Sequence, residues 1–243
     1  MGARRIFVGT SGWTYDDWIG KFYPQEVSGA ERLEYYAQQF NTVEVNATFY
    51  RNPTEAMLKA WNRRLGADFH LVVKGSRVIT HYQKLTDCGE PLERFLEQVL
   101  TLKALQVILW QLPPSLHKDV ERLAQFLALL PGGVRHAVEF RHRSWWDEEV
   151  AEVLRRHNAA FVAVSHPRLP PDIIPTADFL YLRFHGVGKR LYDYDYSKDE
   201  LRQSVERVQL HWEGRTLYAF FNNDYHAHAP MNARRFRALL EGS

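Results

Sequence analysis

Cysteine is nearly absent. Cys88 is the only one among 243 residues, so an intrachain disulfide and a zinc site built from several cysteines are both excluded. Long apolar runs are missing too. The stretch at 159–164 is among the longest, and it is far too short to cross a bilayer. Neither sign of charge dominates: 31 Lys and Arg stand against 29 Asp and Glu, for a formal net charge of +2. That balance argues against a nucleic-acid protein with a broad basic face, while leaving room for a local basic cleft. No phosphate-binding GxxxxGK[ST], no GxSxG and no HExxH occurs, so the sequence offers none of the nucleotide, serine-hydrolase or metalloprotease chemistry those motifs carry. Met1-Gly2-Ala3-Arg4-Arg5 runs straight into a strand-like segment at Ile6. The expectation is no signal peptide, no myristoylation at Gly2 and a cytoplasmic location.

Hydrophobic residues make up 45% of the chain, enough for a sizeable core, and this length suits one α/β barrel domain. No linker, low-complexity tract or charge block interrupts it. A short apolar strand followed by an amphipathic helix recurs along the chain. β-Branched and aromatic runs bounded by turn residues predict eight strands, at 5–9, 42–47, 70–74, 106–110, 136–140, 160–165, 179–184 and 216–221. Helical spacing of apolar residues predicts helices at 31–40, 53–65, 92–105, 116–130, 150–157, 201–212 and 233–240. Between the sixth and seventh strands, Pro167, Pro170, Pro171 and Pro175 predict an irregular, Pro-rich connection in place of a helix. Eight alternating units predict a single-domain (β/α)8 TIM barrel over 1–243, with an open doubly wound sheet as the alternative.

Side chains alternate across a strand. With Val43 and Val45 on the helix-facing side, Glu44 and Asn46 point inward. Val138 and Phe140 leave Glu139 and Arg141 inward, while Leu180, Leu182 and Phe184 leave Tyr181, Arg183 and His185. Lys74 opposes Val73, and the eighth strand runs into Asn222-Asn223-Asp224. Glu44, Lys74, Glu139, Arg141, Arg183 and Asp224 therefore fall near C-terminal strand ends, the face that carries barrel active sites. A buried charge left alone costs several kcal/mol. These groups must pair with each other, meet water or meet a ligand, so an ion-pair plug and a functional cleft are both consistent with them.

Gly9-Thr10-Ser11-Gly12-Trp13 is either an anion-binding turn or simply a tight one. Trp13, Tyr15, Trp18, Phe22 and Tyr23 are dense enough to stack on a ligand or to form a satellite core, the latter suiting Trp18 and Phe22 best. Tyr50 and Trp145 join the candidate aromatic lining. His81, His142, His166 and His185 follow strands, and His226 and His228 share the last loop, but none forms a tight metal-ligand motif. Cys88 reads as structural.

In order along the chain, the sequence carries Gly9-Thr10-Ser11-Gly12-Trp13 with Trp18 and Phe22-Tyr23-Pro24, then Asn41-Thr42-Val43-Glu44-Val45-Asn46-Ala47-Thr48-Phe49-Tyr50. Next come Val73-Lys74, Ile79-Thr80-His81, Gln111-Leu112-Pro113-Pro114-Ser115, Ala137-Val138-Glu139-Phe140-Arg141 and Ser144-Trp145. Tyr181-Leu182-Arg183-Phe184-His185-Gly186, Phe221-Asn222-Asn223-Asp224 and Asn232-Ala233 complete the set. Together these segments resemble the YecE-like family, domain-of-unknown-function family seventy-two. The resemblance implies a TIM-type barrel with no established activity. It also implies a recurrent polar set, namely Glu44, Asn46, Lys74, Glu139, Arg141, Arg183, His185, Asn222, Asn223 and Asp224.

The expected function is a hydrolase or lyase using glutamate acid–base catalysis, with Glu139 or Glu44 as the proton-transfer group, on a small anionic, phosphorylated or nucleotide-like ligand, without an evident cofactor. Glu44, Glu139, His185 and Asp224 are the candidate catalytic residues. Thr10, Ser11, Trp13, Tyr15, Asn46, Tyr50, Lys74, Arg141, Trp145, Arg183, Asn222 and Asn223 are the candidate ligand-binding residues. Three other readings stay open on the sequence. One is a divalent-metal phosphodiesterase or endonuclease using Glu139, His185, Asp224 and a further histidine. Another is a glycoside hydrolase with Glu44 and Glu139 as its carboxylate pair. The last is a barrel that binds a ligand or nucleic acid without catalysis.

Overall fold

A computed structural model describes residues 5–242; the expectations placed on Met1 to Arg4 lie outside them. Nine strands and eight α-helices occur among the described residues, in two compact units.

The first unit holds the chain up to Glu44, Ala163–Ile173 and the chain from Phe179 onward. Its sheet comprises β1 (Ile6–Thr10), β9 (Thr216–Phe221), β8 (Phe179–Phe184) and β7 (Ala163–Ser165), in that order and all parallel. Every residue of β8 and β9 is buried. That explains why both read as continuous apolar and aromatic runs: strands covered on both faces lose the alternation of a half-exposed sheet. Helix α8 (His228–Glu241) packs on β1 and β9, α7 (Lys198–Trp212) packs on α8, and α1 (Arg32–Gln39) precedes β2. Trp18, Phe22, Tyr23, Tyr36 and Phe40 are all buried. Their rings meet edge-on, tilted or stacked between 4.8 and 6.1 Å, so these aromatics form a satellite core.

The second unit holds Val45–Val162 and Ile174–Asp178. Val45 ends β2 (Thr42–Val45), the first strand in the five-stranded order β2-β3-β4-β5-β6. The others are β3 (His70–Lys74), β4 (Leu105–Gln111), β5 (Arg135–Glu139) and β6 (Ala160–Phe161). The helices here are α2 (Ala47–Tyr50), α3 (Glu55–Arg64), α4 (Gly89–Val99), α5 (Val120–Ala128) and α6 (Glu148–Arg156).

The structure corrects several expected boundaries. The strand expected at 160–165 is two strands, broken at Val162: β6 pairs with β5, and β7 pairs with β8. The helix expected at 116–130 starts only at Val120, because the Asp119 side chain accepts from the Arg122 N–H and caps it. Helix α7 begins three residues before Leu201, since Ser197 and Glu200 form a capping box ahead of the apolar stripe. The helix expected to reach 105 ends at Val99, and the chain turns before β4. Between Ser165 and Phe179 there is no helix or strand. No described helix is long and apolar enough to cross a membrane.

Candidate active site

The predicted charges fall into two groups, one in each unit. In the first unit the organising residue is Glu44, fully buried at the end of β2. Its Oε1 accepts from Ser11 Oγ at 2.7 Å and from Arg183 Nη2 at 2.6 Å, and its Oε2 accepts from Tyr181 Oη at 2.5 Å. Three strands set this up. Ser11 follows β1 and bridges to Glu44, while Tyr181 and Arg183 lie two apart on β8 and so share a face. Such a pair, 1% and 0% exposed, is stable only because its partners replace the lost water.

Asp224 lies just past β9. Its Oδ1 is buried without a hydrogen-bond partner among the described residues. Burial drives its carboxyl up to about 8; a hydrogen bond with Tyr15 and the Arg183 charge pull it down, while Glu44 and Asp17 push it further up. Tyr15 is raised well above an ordinary tyrosine, first by burial and then by the charge and hydrogen bond of Asp224. Tyr15 has one hydroxyl hydrogen, and it points to the Ser11 carbonyl at 2.6 Å. A carboxylic acid kept neutral near pH 7 by an apolar setting is a recognised way to hold a proton for delivery.

His185 is buried, and its Nδ1 lies 3.1 Å from the Asn222 amide. Asn223 instead joins the loop between β8 and α7 to α8: its Nδ2 donates to the Tyr194 carbonyl and to Asn232 Oδ1, both at 2.7 Å. Thr10 bonds the Gly12 carbonyl and Tyr36, within the β1 turn. Trp13 and Tyr15 are half-buried. His226 and Ala227 have φ of 59° and 62°, a left-handed pair of non-glycine residues that begins two positions after Asp224.

In the second unit Lys74, Gln111 and Glu139 end β3, β4 and β5. Lys74 Nζ donates to Gln111 Oε1 at 2.6 Å and lies 4.1 Å from the Phe49 ring centre. Glu139 is fully buried and bonded to Arg141 Nε. His81 sits on a π-turn, Val78–Tyr82, with Nδ1 2.9 Å from Thr80 Oγ1 and Nε2 3.5 Å from Gln111 Nε2. Burial, then the charges of Lys74 and Arg141, hold its imidazole down to about 4 against the pull of Glu139. His81 is therefore neutral at pH 7.

The remaining predicted residues are scattered in character. Trp145 is wholly buried, its indole N–H bonded to the Leu116 carbonyl at 2.8 Å and its ring stacked on Phe140. Tyr50 is 63% exposed. Asn46 precedes α2, with a buried Oδ1 that finds no partner among the described residues. No group of three or more His, Cys, Asp and Glu able to hold a metal ion occurs among the described residues. The sequence-based site set omitted Tyr181, Gln111 and His81. Tyr181 had the clearest signal, a polar tip on the same strand face as Arg183; Gln111 ends a strand beside two such positions.

These features define a parallel α/β protein with polar and charged clusters at strand ends. The model for "Protein of unknown function DUF72" matches residues 7–243. The chain is 30% identical to UPF0759 protein YecE of Escherichia coli K12, covering 93% of this chain and 89% of that protein. It is 23% identical to UPF0759 protein YunF of Bacillus subtilis, over 97% and 95% respectively. A solved DUF72 family protein from Thermotoga maritima matches with a TM-score of 0.85 and 34% identity, over 98% of this chain and all of that one. The chain belongs to the DUF72 family.

Proposed function

We propose that this protein is an acid–base enzyme, a hydrolase or lyase, in which Asp224 delivers the proton. The observation that carries the reading is the contrast between two neighbouring carboxyl groups. Glu44 accepts three hydrogen bonds, one from a guanidinium. Asp224 has a buried oxygen with no partner and stays protonated up to about pH 8. Carboxyls whose surroundings separate them in this way commonly divide the acid and charge-holding roles. Glu44 positions Arg183, and Arg183 stabilises negative charge developing on the substrate. His185, fixed by Asn222, is a further group for proton transfer. The strained backbone at His226 and Ala227 supports a functional role for the segment after Asp224. A cytoplasmic location and a closed single-domain (β/α)8 barrel go with this reading. The barrel rests on the count of strand–helix units in the sequence.

The test is a turnover screen against phosphate esters, glycosides and nucleosides at several pH values. The expected result is a substrate whose rate falls as pH rises through about 8 and drops by about a hundredfold or more in Asp224→Asn. An Asp224→Asn protein as active as wild type on that substrate refutes the reading.

A further inference from the structure

We infer that the strand-end cluster of the second unit is a binding site for a phosphate group, held by Lys74, Arg141 and Gln111. The inference stands on that unit alone and does not depend on Asp224 acting as an acid.

Lys74, Gln111 and Glu139 end three neighbouring parallel strands, and Gln111 and Glu139 are in register. The carboxyl ends of parallel strands are where open and closed α/β sheets take their ligands. Two cations, Lys74 and Arg141, gather around the Glu139 carboxylate, and His81 is neutral beside them. Both cations are largely buried. Lys74 is 8% exposed, and the Arg141 side chain is 12% exposed. Cations held out of water favour an anion far more strongly than surface ones do. The way the cations are held also favours recognition. Lys74 is fixed between the Gln111 amide oxygen and the face of Phe49. Arg141 is fixed through Nε to Glu139, which sets the plane of its fork. A planar guanidinium in a fixed plane binds an oxyanion in two-pronged fashion, and a lysine adds a point charge. Gln111, with its oxygen on Lys74, turns its amide nitrogen the other way, toward His81 Nε2 and the Leu112 carbonyl, in two long contacts of 3.5 and 3.4 Å. Donors thus come from three strand ends, which suits a tetrahedral oxyanion better than a flat carboxylate. The π-turn carrying His81 directly follows β3, and such turns recur at functional sites.

The experiment is titration of the full chain with inorganic phosphate, a simple phosphate monoester and acetate, followed by calorimetry and amide NMR shifts. Wild type is expected to bind phosphate and the monoester saturably, and acetate more weakly. Lys74→Met and Arg141→Met are each expected to weaken phosphate by about tenfold to a hundredfold. Lys118→Met is the control, because Lys118 pairs with Asp147 and Glu149 elsewhere in the same unit; it should leave the affinity unchanged. If Lys74→Met fails to fold, Lys74→Arg and Gln111→Ala replace it: Gln111→Ala should lose affinity, and Lys74→Arg should retain most of it. Three results overturn the inference. They are no saturable phosphate binding, equal binding of acetate, and binding that survives both Met substitutions. Binding is read without turnover, so this outcome and the fate of the acid–base reading are separate.

Discussion

The two clusters treat a proton in opposite ways. In the first unit a carboxyl that would ordinarily be charged keeps its proton to about pH 8. In the second an imidazole that would ordinarily begin to charge near 6.5 stays neutral down to about 4. Burial is the leading cause in both, and it always disfavours the charged form. The neighbours differ. Glu44 and Asp17 push the Asp224 carboxyl up against the pull of Tyr15 and Arg183; His81 sits beside two cations, with Glu139 only partly offsetting them. In each cluster burial therefore removes a charge. The first keeps a proton on a carboxyl, and the second keeps an imidazole neutral.

The sharpest way to break the first cluster is to remove Arg183. Arg183→Met strands a fully buried Glu44, at an expected cost of about 3–5 kcal/mol in urea denaturation. Glu44→Gln combined with Arg183→Met should restore much of that loss, since an unpaired charge is costlier than a missing pair.

The next effect is on pH-dependent stability, and the clusters predict opposite slopes. The folded-state value for Asp224 lies above the ordinary 3.8, so the native state binds the extra proton. Stability falls as pH rises from about 4 to about 8 and levels off beyond. Asp224→Asn should flatten that fall in melting curves taken across the range. His81 is the reverse case, because the unfolded chain binds the proton first. Stability is lost as pH falls from 6.5 toward about 4. His81→Asn should flatten that acid limb by about 1 kcal/mol, discounted for partial solvent contact.

A last comparison separates lining from core among the aromatics. Tyr50→Ala, at an exposed ring, should change stability by no more than about 0.5 kcal/mol. Trp145→Ala, at a fully buried one, should cost about 3–5 kcal/mol. Equal losses would remove the distinction drawn between the two.

Much of this was legible in the sequence for a simple reason. Period-two alternation assigns a strand residue to one face whatever the tertiary context. Glu44, Tyr181 and Arg183 could be placed on inward faces before any of them was seen to bond. Strand ends were legible too, so Lys74 and Glu139 were found. What the pattern does not carry is pairing. Nothing in the sequence says that Ser11 and Tyr181 spend their hydroxyls on Glu44, or that Asn223 donates to the Tyr194 carbonyl. Trp145 was a fair candidate as an aromatic after a strand, yet its indole serves the Leu116 carbonyl. The break at Val162 was hidden because 160–165 is apolar throughout, and composition alone does not show where a strand changes partners.

The most direct measurement follows the Asp224 carboxyl carbon by NMR through a pH titration, assigned by comparison with Asp224→Asn. The account predicts a single transition near pH 8, with the carboxyl protonated at neutral pH. A transition near 4, where an ordinary aspartate titrates, would contradict it.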